Sequence, residues 1–142
     1  MKQFRWLTLL MVLLFSCSYK LKIEKKETKA LLPDLNGTWA IVEVNSEKVV
    51  KEKTANLPFL AFNPSENSLN GSTGCNRITG KAIVMDGVVD FVSLATTRMF
   101  CKNSNYETPL LQLLRGSLSY KLENNLLIFT KEGRKVVVLQ KE

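Results

Sequence analysis

The amino-acid sequence predicts a mainly β domain, in which an antiparallel sheet is closed or barrel-like and a single amphipathic helix packs on it or plugs it. Three observations predict this fold class. From residue 35 onward, short apolar runs alternate with turn-forming residues, which is the pattern of antiparallel strands. Several of those runs are apolar on both faces, so we expect the sheet to be closed or covered on its outer side. One later segment shows helical spacing of leucines instead.

The predicted strands follow one another with turn signals between them. The strongest hairpin signal is Asp86-Gly87, because a type I′ turn needs positive φ at both central residues. Further turns are expected at residues 45–46, 124–125 and 132–133. The predicted strands cover residues 37–44, 48–51, 59–62, 68–72, 83–85, 88–92, 120–122, 126–129 and 136–139.

The helix is expected over residues 105–115. Its leucines recur on one face, which we interpret as a core face rather than a groove for a partner. Two start signals compete: Ser104 with Glu107 resembles a capping box, and Thr108 before Pro109 is an alternative cap. Gly116 supplies the stop signal.

Residues 1–16 have the anatomy of a secretory signal peptide. Two basic residues precede an uncharged apolar run, residues 6–15, whose helical length of about 15 Å is too short to span a membrane. Residues 14–17 (Leu-Phe-Ser-Cys) resemble a bacterial lipobox, which predicts that Cys17 is lipidated and anchors the mature chain to a membrane. The alternative is an ordinary secretory signal in which Cys17 is incidental.

Residues 17–34 are interpreted as the lipidated cysteine and a basic tether. The chain carries a net charge of +7, but residues 1–31 hold seven basic against two acidic residues, and the remainder holds 13 against 11. The tether is therefore expected to lie near anionic headgroups, or else to be a plain solvated spacer. The folded part is nearly neutral and lacks the concentrated basic face that nucleic-acid binding requires, so we expect no nucleic-acid partner.

Three motifs carry a family resemblance. Residues 35–39 look like an L-x-G-T-W opening, residues 71–80 like G-x-x-G-C-N-x-x-x-G, and residues 94–101 like l-a-x-T-R-M-x-C, with Glu107, Leu110 and Leu114 following at a helix. Together they resemble the META domain, or HslJ-like, family over residues 35–142. The resemblance implies a small barrel-like domain with one helix and no known enzymatic activity. It also implies association with heat shock, antibiotic tolerance and motility, often as a lipoprotein of the bacterial envelope.

The three cysteines agree with that location. Lipidation would occupy Cys17 and leave Cys75 and Cys101 as an even pair, which we expect to form a disulfide in an oxidising compartment. Closing this loop would stabilise the domain by about 3 to 3.5 kcal/mol. The alternative is a pair of buried free thiols.

The candidate binding residues surround that cysteine pair. Pairing would bring Arg77 and Arg98 together, and two guanidinium groups beside a Gly-rich turn are suited to a carboxylate or phosphate. Alternatively, each arginine pairs with a carboxylate of the domain, such as Glu107 or Asp90.

Asn76 and Trp39 complete the possible ligand-binding set. Asn76 tolerates left-handed backbone, as turns require, and Trp39 is either a platform for a ligand or part of the core. The three glycines of the second motif, Gly71, Gly74 and Gly80, predict left-handed backbone or close approach of another segment.

The absence of histidine excludes a Ser-His-Asp triad and a His-ligated zinc site. We expect no catalytic residues, no metal and no cofactor. The leading hypothesis is a non-enzymatic envelope lipoprotein, placed at the outer membrane facing the periplasm, that binds an unknown envelope protein or ligand in stress tolerance. The alternative is a small-ligand β-barrel with Arg77 and Arg98 at its rim, which a core filled by Trp39, Phe59 and Ile128 would disfavour. A third, weaker hypothesis is a thiol-redox protein that uses Cys75 and Cys101.

Overall fold

The computed structural model describes residues 34–142. The predicted signal peptide, the predicted lipidation site Cys17 and the tether up to residue 33 lie outside these residues. Within the described part, none of the helices has both the length and the apolar character that a membrane crossing requires.

Residues 34–142 form nine strands, one 3₁₀ turn and one short α-helix. The 3₁₀ turn covers Lys51–Lys53 and the helix, α1, covers Glu107–Leu113. The strands are β1 (Gly37–Val44), β2 (Glu47–Lys48), β3 (Phe59–Asn63), β4 (Ser68–Ser72), β5 (Arg77–Met85), β6 (Val88–Thr96), β7 (Gly116–Glu123), β8 (Leu126–Lys131) and β9 (Arg134–Lys141).

The sheet closes into an antiparallel barrel of eight strands, which confirms the predicted fold class. Each strand from β3 to β9 pairs with its neighbour in sequence order, and β1 pairs with both β3 and β9. Residues 37–40 of β1 pair with β3, and residues 39–44 pair with β9. Strand β2 adds only a two-residue hairpin to β1. Closure removes the unpaired edges that an open sheet would expose.

Inward-facing side chains fill the barrel. Alternate residues of β3 and β4 are buried, as the two-residue period of a strand requires. Phe62, Phe91 and Phe129 meet at the centre with ring centroids 5.8 to 6.4 Å apart in tilted or edge-on arrangements. Such pairs add to the stabilisation from burial alone.

The helix is shorter than predicted, but its leucine face lies in the core. Leu110 and Leu114 are 0% and 1% exposed and belong to the same apolar cluster as the barrel interior. Neither predicted cap forms, because Tyr106 holds the N-cap position without a side-chain hydrogen bond. The carboxylate of Glu107 accepts a hydrogen bond from the side-chain amide of Asn76 instead of forming a capping box.

Two local predictions differ from the structure. The predicted strand over residues 48–51 is reduced to β2, since the chain enters the 3₁₀ turn at Lys51. The Asp86-Gly87 hairpin forms, but only Gly87 has a positive φ, so the turn is not type I′. Two positive φ values in succession occur instead at residues 45–46, 124–125 and 132–133.

Candidate binding groove and the turn beside it

A buried turn, residues 73–76, joins β4 to β5. The Thr73 hydroxyl oxygen accepts hydrogen bonds from the backbone N–H groups of Asn76 at 2.8 Å and Cys75 at 3.3 Å. Bonds of this kind between a hydroxyl and nearby backbone stabilise tight turns. Gly74 has a φ of +94°, and a Cβ at this position would collide with the Thr54 side chain. The turn therefore requires glycine here.

Asn76 is the centre of a hydrogen-bond network and is 3% exposed. Its Oδ1 accepts bonds of 2.7 Å from the Thr97 hydroxyl and from the Met99 N–H. Its Nδ2 donates to the Met99 carbonyl at 3.2 Å and to Glu107 Oε1 at 2.8 Å. Two acceptor sites and two donors are thus all used within the protein. Asn76 links the turn, residues 97–99 and α1, and has no polar capacity left for a ligand.

Cys75 and Cys101 form the predicted disulfide, with 5.9 Å between their Cα atoms. The bridge ties residue 101 to the same turn that Asn76 ties to Met99. On the other side, the Asn56 N–H donates to the Gly74 carbonyl at 2.8 Å. The turn is consequently a structural junction between segments distant in sequence.

Arg77 and Arg98 lie at the surface next to this junction. The Arg77 N–H donates to the Thr97 hydroxyl at 3.1 Å, and the Thr97 N–H donates back to the Arg77 carbonyl at 3.2 Å. The backbones of the two arginines are therefore adjacent. Neither guanidinium forms an ion pair with any carboxylate among residues 34–142. Glu107 and Asp90 accept hydrogen bonds from other side chains.

A groove of about 1020 Å³ crosses the outer face of β4 and β5 beside the turn. Asn70, Thr79 and Arg77 point into it from positions that alternate with the buried residues of these strands. Leu57 and Met99 add apolar surface from two loops. We call this space the outer groove. Half of the 14 lining residues are polar and Arg77 is the cation among them, so the groove suits a ligand that combines apolar parts and hydrogen-bonding groups with an anionic group.

The barrel interior is occupied by side chains, and the outer groove lies outside it. Trp39 is 1% exposed, and its indole N–H donates to the Leu35 carbonyl at 2.9 Å, so Trp39 is a core residue and not a surface platform. Phe59 and Ile128, predicted to fill the interior, are only half-buried, and Phe59 lines the outer groove. Their side chains alternate with the buried residues of β3 and β8, which places them on the outer face.

The comparison with known families agrees with this arrangement. The family model of the META domain matches residues 30–142 of the chain. This chain belongs to the META domain family. No curated protein matches it.

Solved structures resemble this META domain in fold. One NMR structure is 25% identical, with a TM-score of 0.58, and the alignment covers 72% of this chain and 87% of that one. Another, from Burkholderia xenovorans, is 18% identical, with a TM-score of 0.59 and coverage of 75% and 82%. The second likeness concerns the fold alone.

Three exposed apolar residues of the META domain were not among the candidate residues predicted from the sequence. Phe100, Met99 and Leu57 are 95%, 60% and 58% exposed, the highest values among the large apolar side chains of residues 34–142. A sequence signal exists for two of them, because Arg98 and Lys102 flank Met99-Phe100 in a segment without strand pattern.

Two shifted pKa values lie away from the outer groove. Burial and the charge of Asp86 raise the pKa of Tyr120, and the nearby Gly87 backbone N–H acts in the opposite direction. The approach of this N–H does not meet the geometry of a hydrogen bond, so the hydroxyl has no hydrogen-bond partner within residues 34–142. A hydrogen bond and the charge of Glu47 raise the pKa of Lys53. No group of three or more metal-binding side chains occurs in the described part of the chain.

Proposed function

We propose that this META-domain protein is a non-enzymatic lipoprotein of the bacterial cell envelope that binds a partner or ligand in stress tolerance. Cys17 is its lipid anchor, and the outer membrane, facing the periplasm, is its location. The lipobox-like residues 14–17 and the basic tether support the anchor. The lack of histidine and the family resemblance support a binding role rather than catalysis.

The observation that carries the binding role is the outer groove with Arg77. This guanidinium lines the groove and forms no ion pair among residues 34–142, so its five donors remain available. A carboxylate or phosphate on an otherwise apolar molecule, or on a partner's side chain, matches this combination.

The alternative function, binding of a small ligand by the barrel, also points to the outer groove. Buried Trp39 and Phe91 occupy the interior, whereas the outer groove has the volume and the cation that the alternative requires. Thiol-redox chemistry is the weaker hypothesis, because Cys75 and Cys101 are bonded to each other and Cys75 is 7% exposed.

The anchor is tested by Cys17→Ala. We expect this variant to lose acyl labelling and to leave the membrane fraction, or to remain as an uncleaved precursor. Cys101→Ser is the matched control, because it removes a cysteine from the folded domain and leaves the lipobox intact. If Cys17→Ala fractionates and labels like the parent, the lipoprotein proposal fails.

The groove is tested by a photoreactive residue placed at Asn70, which is exposed in the groove, with Lys121 on β7 as an exposed position elsewhere. We expect irradiation of intact cells to give one discrete adduct from position 70 and not from position 121. Arg77→Gln should weaken that adduct. An adduct that is insensitive to Arg77→Gln, or that forms equally at both positions, contradicts the proposed binding site.

A further inference from the structure

Phe100 is exposed to solvent, and the residues on both sides of it are anchored to the domain. Asn76 bonds to both the N–H and the carbonyl of Met99, and the disulfide fixes Cys101, so Phe100 lies between two anchored residues. Its side chain is 95% exposed. Because the backbone on both sides of Phe100 is already anchored, little backbone freedom is lost when this residue binds, so the arrangement favours insertion into another phase or surface.

Three cationic residues lie close to Phe100. Arg98 and Lys102 flank Met99 and Phe100 in the sequence, and Arg77 lies beside Thr97 across the strand pairing. None of the three cations forms an ion pair within residues 34–142. We call this surface the Phe100 patch, and it consists of Leu57, Met99, Phe100, Arg77, Arg98 and Lys102.

The acidic groups near the patch are engaged or lie to its side. Glu107 accepts the Asn76 amide and is half-buried. Glu52 is exposed in the 3₁₀ turn between Lys51 and Lys53, and its backbone carbonyl, not its carboxylate, accepts a bond from Asn103. The patch itself thus combines an apolar residue with three cations that form no ion pair within residues 34–142, which is complementary to a surface of apolar chains beneath anionic headgroups.

We propose that the Phe100 patch is a membrane-contact site for anionic phospholipid. Phe100 and Met99 enter the boundary between headgroups and acyl chains, and Arg98 and Lys102 bind lipid phosphate. The site deepens the proposed function, because a Cys17 anchor would keep the patch close to the bilayer. It would orient the META domain on the membrane instead of leaving it free on its tether.

The test follows the environment of residue 100 on membranes. The mature lipidated chain, residues 17–142, with Phe100→Trp is reconstituted on vesicles of phosphatidylcholine, with or without phosphatidylglycerol, whose acyl chains carry bromine as a quencher. The parent mature chain, which has lost Trp6 with the signal peptide and keeps Trp39 at 1% exposure, provides the background emission. Met85→Trp is the matched control, because Met85 is a 46% exposed apolar residue on the β5–β6 hairpin, outside the patch.

We expect blue-shifted, quenched emission at position 100 on anionic vesicles, weaker quenching on neutral vesicles, and no quenching at position 85. Removing Arg98 or Lys102 by substitution with Gln should lower the insertion equilibrium constant by about fivefold each.

Three outcomes overturn the inference. Vesicles that carry the chain in flotation while position 100 emits as in buffer show that the anchor works and the patch does not touch lipid. Equal quenching at positions 85 and 100 shows only proximity from tethering. Emission at position 100 that responds to added envelope protein but not to vesicles assigns the patch to a protein partner. Failure to float at all is a failure of the proposed anchor instead, which Cys17→Ala tests separately.

Discussion

The hydrogen bonds of Asn76 make Asn76→Asp a demanding test of the structure. The substitution keeps the shape and the acceptor oxygen that Thr97 and Met99 use, but replaces Nδ2 by an oxygen. Two bonds are lost, one to the Met99 carbonyl and one to the carboxylate of Glu107. In place of the 2.8 Å bond, two carboxylates then face each other at a half-buried site.

The cost follows from these losses. A neutral hydrogen bond contributes about 1 kcal/mol and a bond to a charged group about 1.5 to 3 kcal/mol, so Asn76→Asp should destabilise the domain by about 2.5 to 4 kcal/mol. For a domain of this size, the melting temperature should fall by about 15 °C. The matched control is Asn70→Asp, because Asn70 is exposed and its Oδ1 accepts a bond from Thr79 that a carboxylate can also accept. That control should remain within about 0.5 kcal/mol of the parent.

Thermal unfolding followed by circular dichroism, with the disulfide intact, measures the effect. Adding Glu107→Gln to Asn76→Asp restores a donor facing the new carboxylate, so the double variant should recover at least about 1 kcal/mol. If Asn76→Asp melts within about 3 °C of the parent, or if Glu107→Gln gives no recovery, the Asn76 network does not hold the site as described.

Three further changes test the turn, the core and the disulfide. Gly74→Ala should destabilise the domain by at least about 2 kcal/mol more than Gly87→Ala, because both positions have positive φ but only a Cβ at 74 meets Thr54. Tyr120→Phe should stabilise it by about 1 kcal/mol, since it removes a buried hydroxyl without a partner in residues 34–142. The raised folded-state pKa of Tyr120 means that the unfolded chain ionises first, so the parent should lose stability above pH 10 and the variant should lose less. Cys101→Ser should cost about 3.5 kcal/mol, given a bridge between residues 26 apart.

Urea unfolding gives all three free energies of unfolding. Equal losses for the two glycine variants would contradict the contact with Thr54. A less stable Tyr120→Phe, or an unchanged slope of stability above pH 10, would show that the hydroxyl is satisfied in solution. Reductant should lower the stability of the parent to that of Cys101→Ser and leave the variant unchanged, and a parent insensitive to reduction under unfolding conditions would argue against the bridge.

Much of the fold was predicted from patterns within short stretches of the sequence. The alternation of apolar runs and turn residues was enough to predict antiparallel strands, because a two-residue period and turn chemistry act within a few residues. The cysteine count favoured a bond between Cys75 and Cys101 over two free thiols, given the expected lipidation of Cys17, and the structure contains this bond. The helix ends were predicted less well, since the Glu107 carboxylate is used by Asn76, 31 residues earlier in the chain. A contact over that distance has no local signal.

The sequence by itself determined the fold class and favoured the cysteine pair, because local periodicity and an even count of remaining thiols are read without long-range contacts. Its glycines also predicted the left-handed backbone that Gly74 adopts and the close approach of other segments to Gly71 and Gly80. Only the tertiary structure decided the roles of the candidate residues. Barrel closure buries Trp39 and leaves Arg77 in a groove on the outer face. It also buries the amide of Asn76, which links the turn at residues 73–76 to residues 97–99 and α1. It also holds Phe100 in solvent between two fixed points. The physical reason is that burial and hydrogen-bond partners depend on which distant strands meet, and that is decided by the register of the closed sheet.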